Sequence, residues 1–362
     1  MSYKVGDVIG RYTVTRDFDS ANGGQCQWGF ATDGKEELFI KKFLTPVYPG
    51  AKAPGSEKGK QKKRNKCQEF EKKQKAIKEA LSACGSGGLV VRTVDFFKHG
   101  DDYGQHYFKV SQKVDTSSLS DLVHTLDLKK KLFVMVTAAG AVSILHKYGI
   151  VHLDLKPDNI LIQEYGSHTI AKVIDFDSSI LVGESAEAET LVGDAVYYSP
   201  EFSKYISTYG ESSLPNQKSD IFSLGLIFCR YWTGQLPNYS SSHNYAHDAV
   251  IKGEPLSIPI LRSEKKYERK ENTSRLSGTL MGRADRGKLE DETSRDPTDI
   301  AVQQLLQRML VLSPGDRPHI TEVHKQLKQL LHRGAPRHEV EKKPITTTDT
   351  YKTKLTFGKN LR

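Results

Sequence analysis

The chain has 362 residues, of which 37% are hydrophobic and 27% are charged, and its net charge is +9. A chain of this length and composition can bury a sizeable core, so we expect a soluble globular protein of one two-lobed domain or two small ones. The first residues lack the charged-then-apolar pattern of a signal peptide, and no apolar run approaches the roughly 18 residues that span a bilayer. We therefore expect a cytoplasmic protein with no membrane partner.

The four cysteines stand singly along the chain, at positions 26, 67, 84 and 229. They form no CxxC pair, and no histidine or cysteine cluster has the spacing of a zinc site. We therefore expect free thiols in a reducing compartment, without disulfides and without a structural metal.

Much of the positive charge lies in two blocks, at residues 57–66 and 262–275. A nucleic-acid-binding surface usually mixes aromatic residues into the basic ones for base stacking, and the only aromatic residue in the two blocks is Tyr267. A nucleic-acid partner is therefore disfavoured. We expect exposed loops, which can also dock an acidic protein partner.

Residues 12–44 contain three apolar segments separated by glycine-containing turns, which predicts an antiparallel sheet. Residues 1–10 precede this sheet and are interpreted as an N-terminal extension. The stretch 45–66 is rich in proline, glycine and lysine, and it is predicted to be a long basic loop.

A helix is predicted over residues 67–82, because Phe70, Gln74, Ile77 and Leu81 recur on one helical face. Two more strands follow it. Residues 11–115 are thus predicted to form a small lobe of five strands and one helix.

Residues 116–333 have a mainly helical character and are predicted to form a larger lobe. Its predicted helices span 127–148, 218–233, 243–252, 298–312 and 320–332. Within this lobe, 262–297 is polar and weakly periodic, which predicts an inserted loop. The basic, threonine-rich tail at 334–362 has few apolar residues and is predicted to be disordered.

The stretch VHLDLKPDNILI, residues 151–162, places Asp154, Lys156 and Asn159 between two apolar ends. Apolar flanks predict buried strands, which would make the polar centre a loop on rigid supports, where function is often found.

Four motifs occur in an order and at distances that resemble the eukaryotic-type Ser/Thr protein kinase family over residues 10–333, which is more specific than any single motif. They are HLDLKPDN at 152–159, KVIDFDSS at 172–179, GDAVYYSPE at 193–201 and SDIFSLGLIF at 219–228. The resemblance implies an α+β, bilobal kinase fold with a small antiparallel β lobe and a larger helical lobe.

The resemblance also implies transfer of the γ-phosphoryl group of ATP to Ser/Thr hydroxyls of protein substrates, with autophosphorylation. Asp154 would orient the attacking hydroxyl and take its proton, and Lys156 would neutralise charge on the γ-phosphate. Asn159 and Asp175 would hold Mg²⁺, or Mn²⁺ in its place, because such hard cations prefer oxygen ligands.

Two further pairings are architectural in the family. Glu201 of the SPE motif would be buried against Arg317, and Asp220 would brace the backbone of the catalytic loop.

In the small lobe, the family's phosphate-binding lysine corresponds to Lys41, with Lys42 as the alternative. The glycine-rich phosphate loop corresponds to residues 19–26, where only Gly24 keeps its place. A loop with so few glycines presents fewer backbone amides to a phosphate. Cys26 falls at the residue that covers the adenine, where we expect it to pack rather than to sense redox state.

The helix residue that should pair with the strand lysine is ambiguous, since the family's spacing selects Gln74 while Glu71 lies one turn earlier. We expect Glu71 to form the pair. The hinge places Ser111 at the gatekeeper position, and the backbones of Gln112 and Val114 would contact the adenine.

Three residues depart from the family's large-lobe motifs. Asp177 replaces the glycine of DFG, which should restrict switching of this segment, and exchanging it for glycine should leave activity intact or raise it. Asp194 replaces a threonine and could pair with Lys156 or repel Asp154. Leu153 replaces the HRD arginine, so a phosphorylated activation loop is not needed by that route.

An active protein kinase explains all of these residues best, because no catalytic charge is missing. The alternatives are a pseudokinase scaffold that binds nucleotide without efficient catalysis, a kinase-fold enzyme that acts on a small molecule, and a nucleic-acid-binding module built on the basic blocks.

Overall fold

The computed structural model describes residues 2–20, 26–84, 88–115, 120–166, 168–260 and 296–333. Gly24, the second basic block, the tail from 334 and nearly all of the predicted insert lie outside these ranges. The end of the predicted insert is described: Asp296 caps a helix that begins at Pro297.

The small lobe is built on an antiparallel sheet that has seven strands within the described residues. They are β1 (Val8–Ile9), β2 (Tyr12–Asp19), β3 (Cys26–Thr32), β4 (Glu37–Phe43), β5 (Tyr48–Pro49), β6 (Thr93–Gly100) and β7 (Gly104–Gln112). Strands β1 to β4 are adjacent in chain order, β4 pairs with β7, and β5 and β6 also pair with β7. The predicted sheet is confirmed, and β1 shows that part of the expected N-terminal extension belongs to it.

Helix α1 (Glu57–Ala83) begins earlier than predicted, so the prediction of a loop up to residue 66 is wrong from Glu57 onward. Ser56 caps the helix, since its side chain accepts a hydrogen bond from the Gly59 amide at 3.2 Å. The glutamate in the first turn favours the helix dipole, and the lysines, glutamine and arginine that follow are good helix formers. The first basic block is therefore mostly an exposed helical surface.

The large lobe is mainly helical, as predicted. Its described helices are α2 (Leu128–Lys147), α3 (Pro200–Ser207), α4 (Gln217–Thr233), α5 (Ala246–Ile251), α6 (Pro297–Met309) and α7 (Ile320–Arg333). The five predicted helices are confirmed with shifts of a few residues at their ends, and α3 is an additional one. Helices α2 and α4 are almost entirely buried and form the centre of the main hydrophobic core.

Four short strands carry the polar loops of the large lobe. They are β8 (Ile150–Val151), β9 (Ile160–Tyr165), β10 (His168–Val173) and β11 (Ile180–Leu181). Strand β8 pairs with β11, and β9 pairs with β10. The segments 152–159 and 174–179 are thus each anchored at both ends, which confirms the expectation of a loop on rigid supports.

Within the described ranges, no helix combines the length and apolar character needed to cross a membrane.

Candidate active site

The loop 152–159 is fixed from below by Asp220 of α4, which is fully buried. The backbone amides of His152 and Leu153 donate hydrogen bonds to its two carboxylate oxygens at 2.9 and 3.0 Å. These bonds hold Leu153 at φ +62°, a left-handed conformation that a leucine rarely adopts. Such backbone strain persists only where the surroundings impose it, so the loop is rigidly positioned.

Asp154 lies in this loop with its carboxylate held by two donors. The Asn159 amide nitrogen donates to Oδ2 at 3.0 Å, and the Asp194 backbone amide donates to Oδ1 at 3.1 Å. Burial raises the pKa of Asp154, while the charge of Lys156, whose Nζ lies 3.7 Å from Oδ2, opposes that rise. A raised pKa suits a carboxylate that has to accept a proton.

Asp175 lies beyond the end of β10, next to Asn159. The Ile174 amide donates to the Asn159 carbonyl at 3.0 Å, which joins the two loops. Asp175 has φ +60°, and its Oδ1 is buried without a hydrogen-bond partner among the described residues. Lys109 Nζ lies 3.8 Å from this oxygen, too far for a hydrogen bond, so the oxygen can still bind a cation and these residues fit a magnesium site.

The amide nitrogen of Asn159 is committed to Asp154, which leaves its amide oxygen as the atom able to bind a metal. In the described part of the chain, no group of three or more His, Cys, Asp or Glu side chains could hold an ion. An ion bound by Asn159 and Asp175 would need further oxygens, as a nucleotide phosphate supplies.

The two candidate lysines of β4 point to opposite faces of the sheet, as neighbours in a strand do. Lys41 Nζ lies 2.9 Å from Asp175 Oδ2 and 2.6 Å from Asp177 Oδ2. Lys42 points away, with its Nζ 5.3 Å from the centre of the Tyr3 ring. Burial opposes the charged form of Lys41, but the two carboxylates outweigh it and raise its pKa. Lys41 therefore places a permanent cation in the cleft.

The expectation that Glu71 pairs with the strand lysine is wrong. Its Oε1 accepts hydrogen bonds from Lys98 Nζ and from the Tyr107 hydroxyl, both at 2.8 Å. These partners stand on β6 and β7. Glu71 lies one turn too early on α1 for its side chain to reach Lys41. Gln74 is buried at the expected position, but it is uncharged, and its Nε2 has no hydrogen-bond partner among the described residues.

Sequence reasoning missed Lys109 of β7. It stands opposite Lys41 in the register of β4 and β7, and its Nζ donates to Asp177 Oδ1. Its Nζ also lies 3.8 Å from Asp175 Oδ1. The signal was present in the stretch YFKVS, since a lysine inside an apolar strand is buried only with a partner.

Asp177 is accommodated without backbone strain. Among the described residues the non-glycine positions with positive φ are Leu153, Asp175 and Tyr209, so position 177 does not need a glycine here. Burial acts to raise the pKa of Asp177, but the charges of Lys109 and Lys41 prevail and lower it. Asp177 is therefore an ionised partner of two lysines.

The Asp194 carboxylate forms no ion pair with Lys156. It also lies outside hydrogen-bond distance of the Asp154 carboxylate. Its side chain accepts a hydrogen bond from the Val196 amide at 3.0 Å and so caps the short 3₁₀ turn that follows. The contact with Asp154 runs through the Asp194 backbone amide, which any residue would supply.

The expected adenine site lies between β3, β4 and the end of β7. Cys26 is buried, and burial raises its pKa to about 12, so it is a neutral thiol that packs as expected. Phe39 lies edge-on to Phe30, with the ring centroids 5.9 Å apart, where the family has a small residue. Gln112 ends β7, and Val114 follows it in the hinge.

The hinge is tied to β4. Lys113 Nζ lies 2.8 Å from Glu37 Oε2, which fixes the chain where it leaves β7.

The expected pair of Glu201 and Arg317 is confirmed. Arg317 donates from both terminal nitrogens to the two oxygens of Glu201, at 2.7 and 2.9 Å, and its side chain is fully buried. This bidentate pair joins α3 to the segment before α7, so its role is structural.

A profile of the protein kinase domain matches residues 47–327, well over half of the chain. The match begins after β4, so the assignment of Lys41 depends on the geometry above.

Curated relatives are serine/threonine kinases that match a shorter region. The ovarian-specific serine/threonine-protein kinase Lok of Drosophila melanogaster is 34% identical over 135 residues, which cover 37% of this chain and 27% of Lok. Serine/threonine-protein kinase PknB of Mycobacterium tuberculosis is 33% identical over 135 residues, covering 35% of this chain and 20% of PknB. The chain thus spans only a minor part of these relatives. By fold, by site geometry and by the profile match, it belongs to the protein kinase family.

Proposed function

We propose that the chain is an ATP-dependent serine/threonine protein kinase. The observation that carries the proposal is a continuous set of contacts: Lys41 Nζ lies 2.9 Å from Asp175 Oδ2, Asn159 donates to Asp154, and the Ile174 amide joins the segments of Asn159 and Asp175. Lys156 lies beside Asp154. Each charge that phosphoryl transfer requires is present there in a supported position.

In the proposed reaction, the oxygen of a substrate serine or threonine attacks the γ-phosphorus of ATP, the bond to the β-phosphate oxygen breaks, and ADP leaves. Asp154 orients the hydroxyl and accepts its proton, which its raised pKa favours. Lys156 stabilises charge on the transferred group, and Lys41 binds the remaining phosphates.

Asn159 and Asp175 would hold Mg²⁺, or Mn²⁺, through the amide oxygen of Asn159 and the Oδ1 of Asp175. A divalent ion bound there neutralises charge on the phosphate oxygens.

The adenine would lie against Cys26 and Phe39, with its edge toward the backbone of Gln112 and Val114. The exposed basic start of α1, residues 57–66, offers complementary charge to an acidic protein substrate. Two of these basic residues, Lys60 and Arg64, pair with Glu57, which reduces the positive charge that the segment presents.

The test is incorporation of label from γ-labelled ATP, with Mg²⁺ or Mn²⁺, into the protein itself and into a generic basic protein, beside Asp175→Ala. We expect label on serine and threonine with the unaltered chain and none with the variant. Clear ATP binding without transfer would instead support a nucleotide-binding scaffold.

A further inference from the structure

In protein kinases the phosphate-binding lysine is held by a glutamate of the helix that follows it. Here α1 supplies no such carboxylate within the described residues, since Glu71 binds Lys98 and Tyr107 and Gln74 is neutral. The helix contributes a cation instead. Lys73 of α1 lies close enough to Asp177 and Lys109 for their charges to act on its pKa, which burial lowers.

Both partners of Lys41 come from the large lobe. Its Nζ donates to Asp175 Oδ2 at 2.9 Å and lies 2.6 Å from Asp177 Oδ2, and the other oxygen of Asp177 accepts a hydrogen bond from Lys109. The side chains of Lys41, Lys109 and Asp177 are only 12%, 10% and 20% exposed. Burying these ionised groups costs desolvation energy that their mutual attraction offsets, so removing one partner leaves a costly unpaired charge.

Among the four residues that the ion pairs join, the charges balance, and Lys73 forms no ion pair with them within the described residues. Lys41 and Lys109 supply two positive charges, and Asp175 and Asp177 supply two negative charges. Asp175 is assigned to the metal in the proposed reaction, which leaves Asp177 as the carboxylate that stays available to Lys41. Lys109 then balances the negative charge of Asp177, a charge that the glycine usual at this position does not carry.

We propose that Asp177 is the positioning residue for Lys41 and takes the place of the helix glutamate, while Lys109 balances its charge. The alignment of Lys41 for the nucleotide phosphates is then set by the segment that also carries Asp175, and it does not depend on a carboxylate of α1. This inference rests on the proposed function, in which Lys41 binds phosphates.

The contacts reverse the sequence-based expectation for Asp177→Gly. Loss of this carboxylate removes the anchor of Lys41 and leaves Lys109 without its main partner, so affinity for phosphates should fall rather than stay or rise.

The test compares Asp177→Asn, Lys109→Met and the double variant in the full chain, by two measurements. The unfolding temperature without nucleotide reports how much an unpaired buried charge destabilises each variant. Calorimetry gives the dissociation constants for adenosine and for MgADP. The adenosine constant divided by the MgADP constant reports how well Lys41 binds the phosphates, and this quotient is called the ratio below. Glu71→Gln is the matched control, because it removes the carboxylate of α1 without touching the cluster.

We expect both single variants to unfold at lower temperature and the double variant to regain most of that loss. The ratio should nevertheless fall about tenfold in Asp177→Asn and remain low in the double variant, which keeps no carboxylate at position 177. Adenosine affinity should stay unchanged throughout, and Glu71→Gln should keep the ratio of the unaltered chain.

A ratio that recovers together with stability in the double variant would show a purely structural pair and overturn the proposal. A ratio unchanged in Asp177→Asn, or lowered equally by Glu71→Gln, would overturn it as well. If the unaltered chain itself bound MgADP no better than adenosine, the proposed function would fail first, and this inference with it.

Discussion

The two lobes solve the placement of catalytic charge in different ways. In the large lobe, Asp154 and Asn159 stand on a loop braced by Asp220, and the Ile174 amide ties the segment of Asp175 to that loop. In the small lobe, the cation of Lys41 is present, but its partners are Asp175 and Asp177 of the large lobe and not a residue of α1.

The difference reflects what the chemistry constrains. The groups around the transferred phosphate must occupy fixed positions relative to each other, so their local sequence is tightly specified. The lysine needs only an anion to hold it, and any element that reaches its Nζ can supply one. A carboxylate at position 177 can replace one on the helix, provided that a second cation such as Lys109 balances it.

The largest expected effect is the loss of kcat when Asp154 of the large lobe is replaced. Asp154→Ala removes the proton acceptor, so we expect kcat to fall by about 10³ or more while nucleotide affinity changes little. Steady-state phosphorylation of a protein substrate measures it. Asp158→Ala is the matched control, since this carboxylate lies in the same loop but is exposed, and near-normal kcat in Asp154→Ala would refute the assignment.

A second effect concerns the scaffold beneath this lobe. Arg317→Met leaves Glu201 buried without its partner, which should lower the free energy of unfolding by about 3–5 kcal/mol. Arg308→Met serves as its control, because the pair of Arg308 with Glu322 is about half exposed and should contribute less than about 1 kcal/mol. Urea denaturation of both variants compares them, and equal losses would contradict a special role for the buried pair.

The smallest effect tests whether Asp194 weakens catalysis. Threonine also caps a helical turn, so Asp194→Thr should keep stability and change kcat less than about threefold, whereas Asp194→Ala should lose about 1 kcal/mol of stability. Thermal unfolding and initial rates separate the two. A large gain of activity in Asp194→Thr would mean that the carboxylate repels Asp154 after all.

Much of the fold was predictable because its signals are local. Apolar alternation located β2 to β4, and helical periodicity located α2, α4, α6 and α7 within a few residues. The sequence does not predict the start of α1, because a lysine-rich stretch suits both a loop and a helix, and the structure decides for the helix through the cap at Ser56.

The site divides in the same way. The motif around Asp154 predicts Lys156 and Asn159, because all three residues belong to one loop, and a second motif, at 172–179, predicts Asp175. The roles of Lys109 and Asp177 could not be read from spacing, because they lie 68 residues apart and meet only through tertiary structure. Its charge favours Glu71 over Gln74 in the sequence, but its position on the helix turns its side chain toward Lys98.

The most direct test of the account as a whole uses the two adjacent lysines of β4, Lys41 and Lys42. Lys41→Met and Lys42→Met make the same chemical change on opposite faces of one strand, and transfer of labelled γ-phosphate from ATP compares them. We predict that Lys41→Met loses at least about 99% of transfer, since the phosphates lose their cation, while Lys42→Met stays within about threefold of the unaltered chain. Full transfer by Lys41→Met, or its loss only in Lys42→Met, would contradict the site described above.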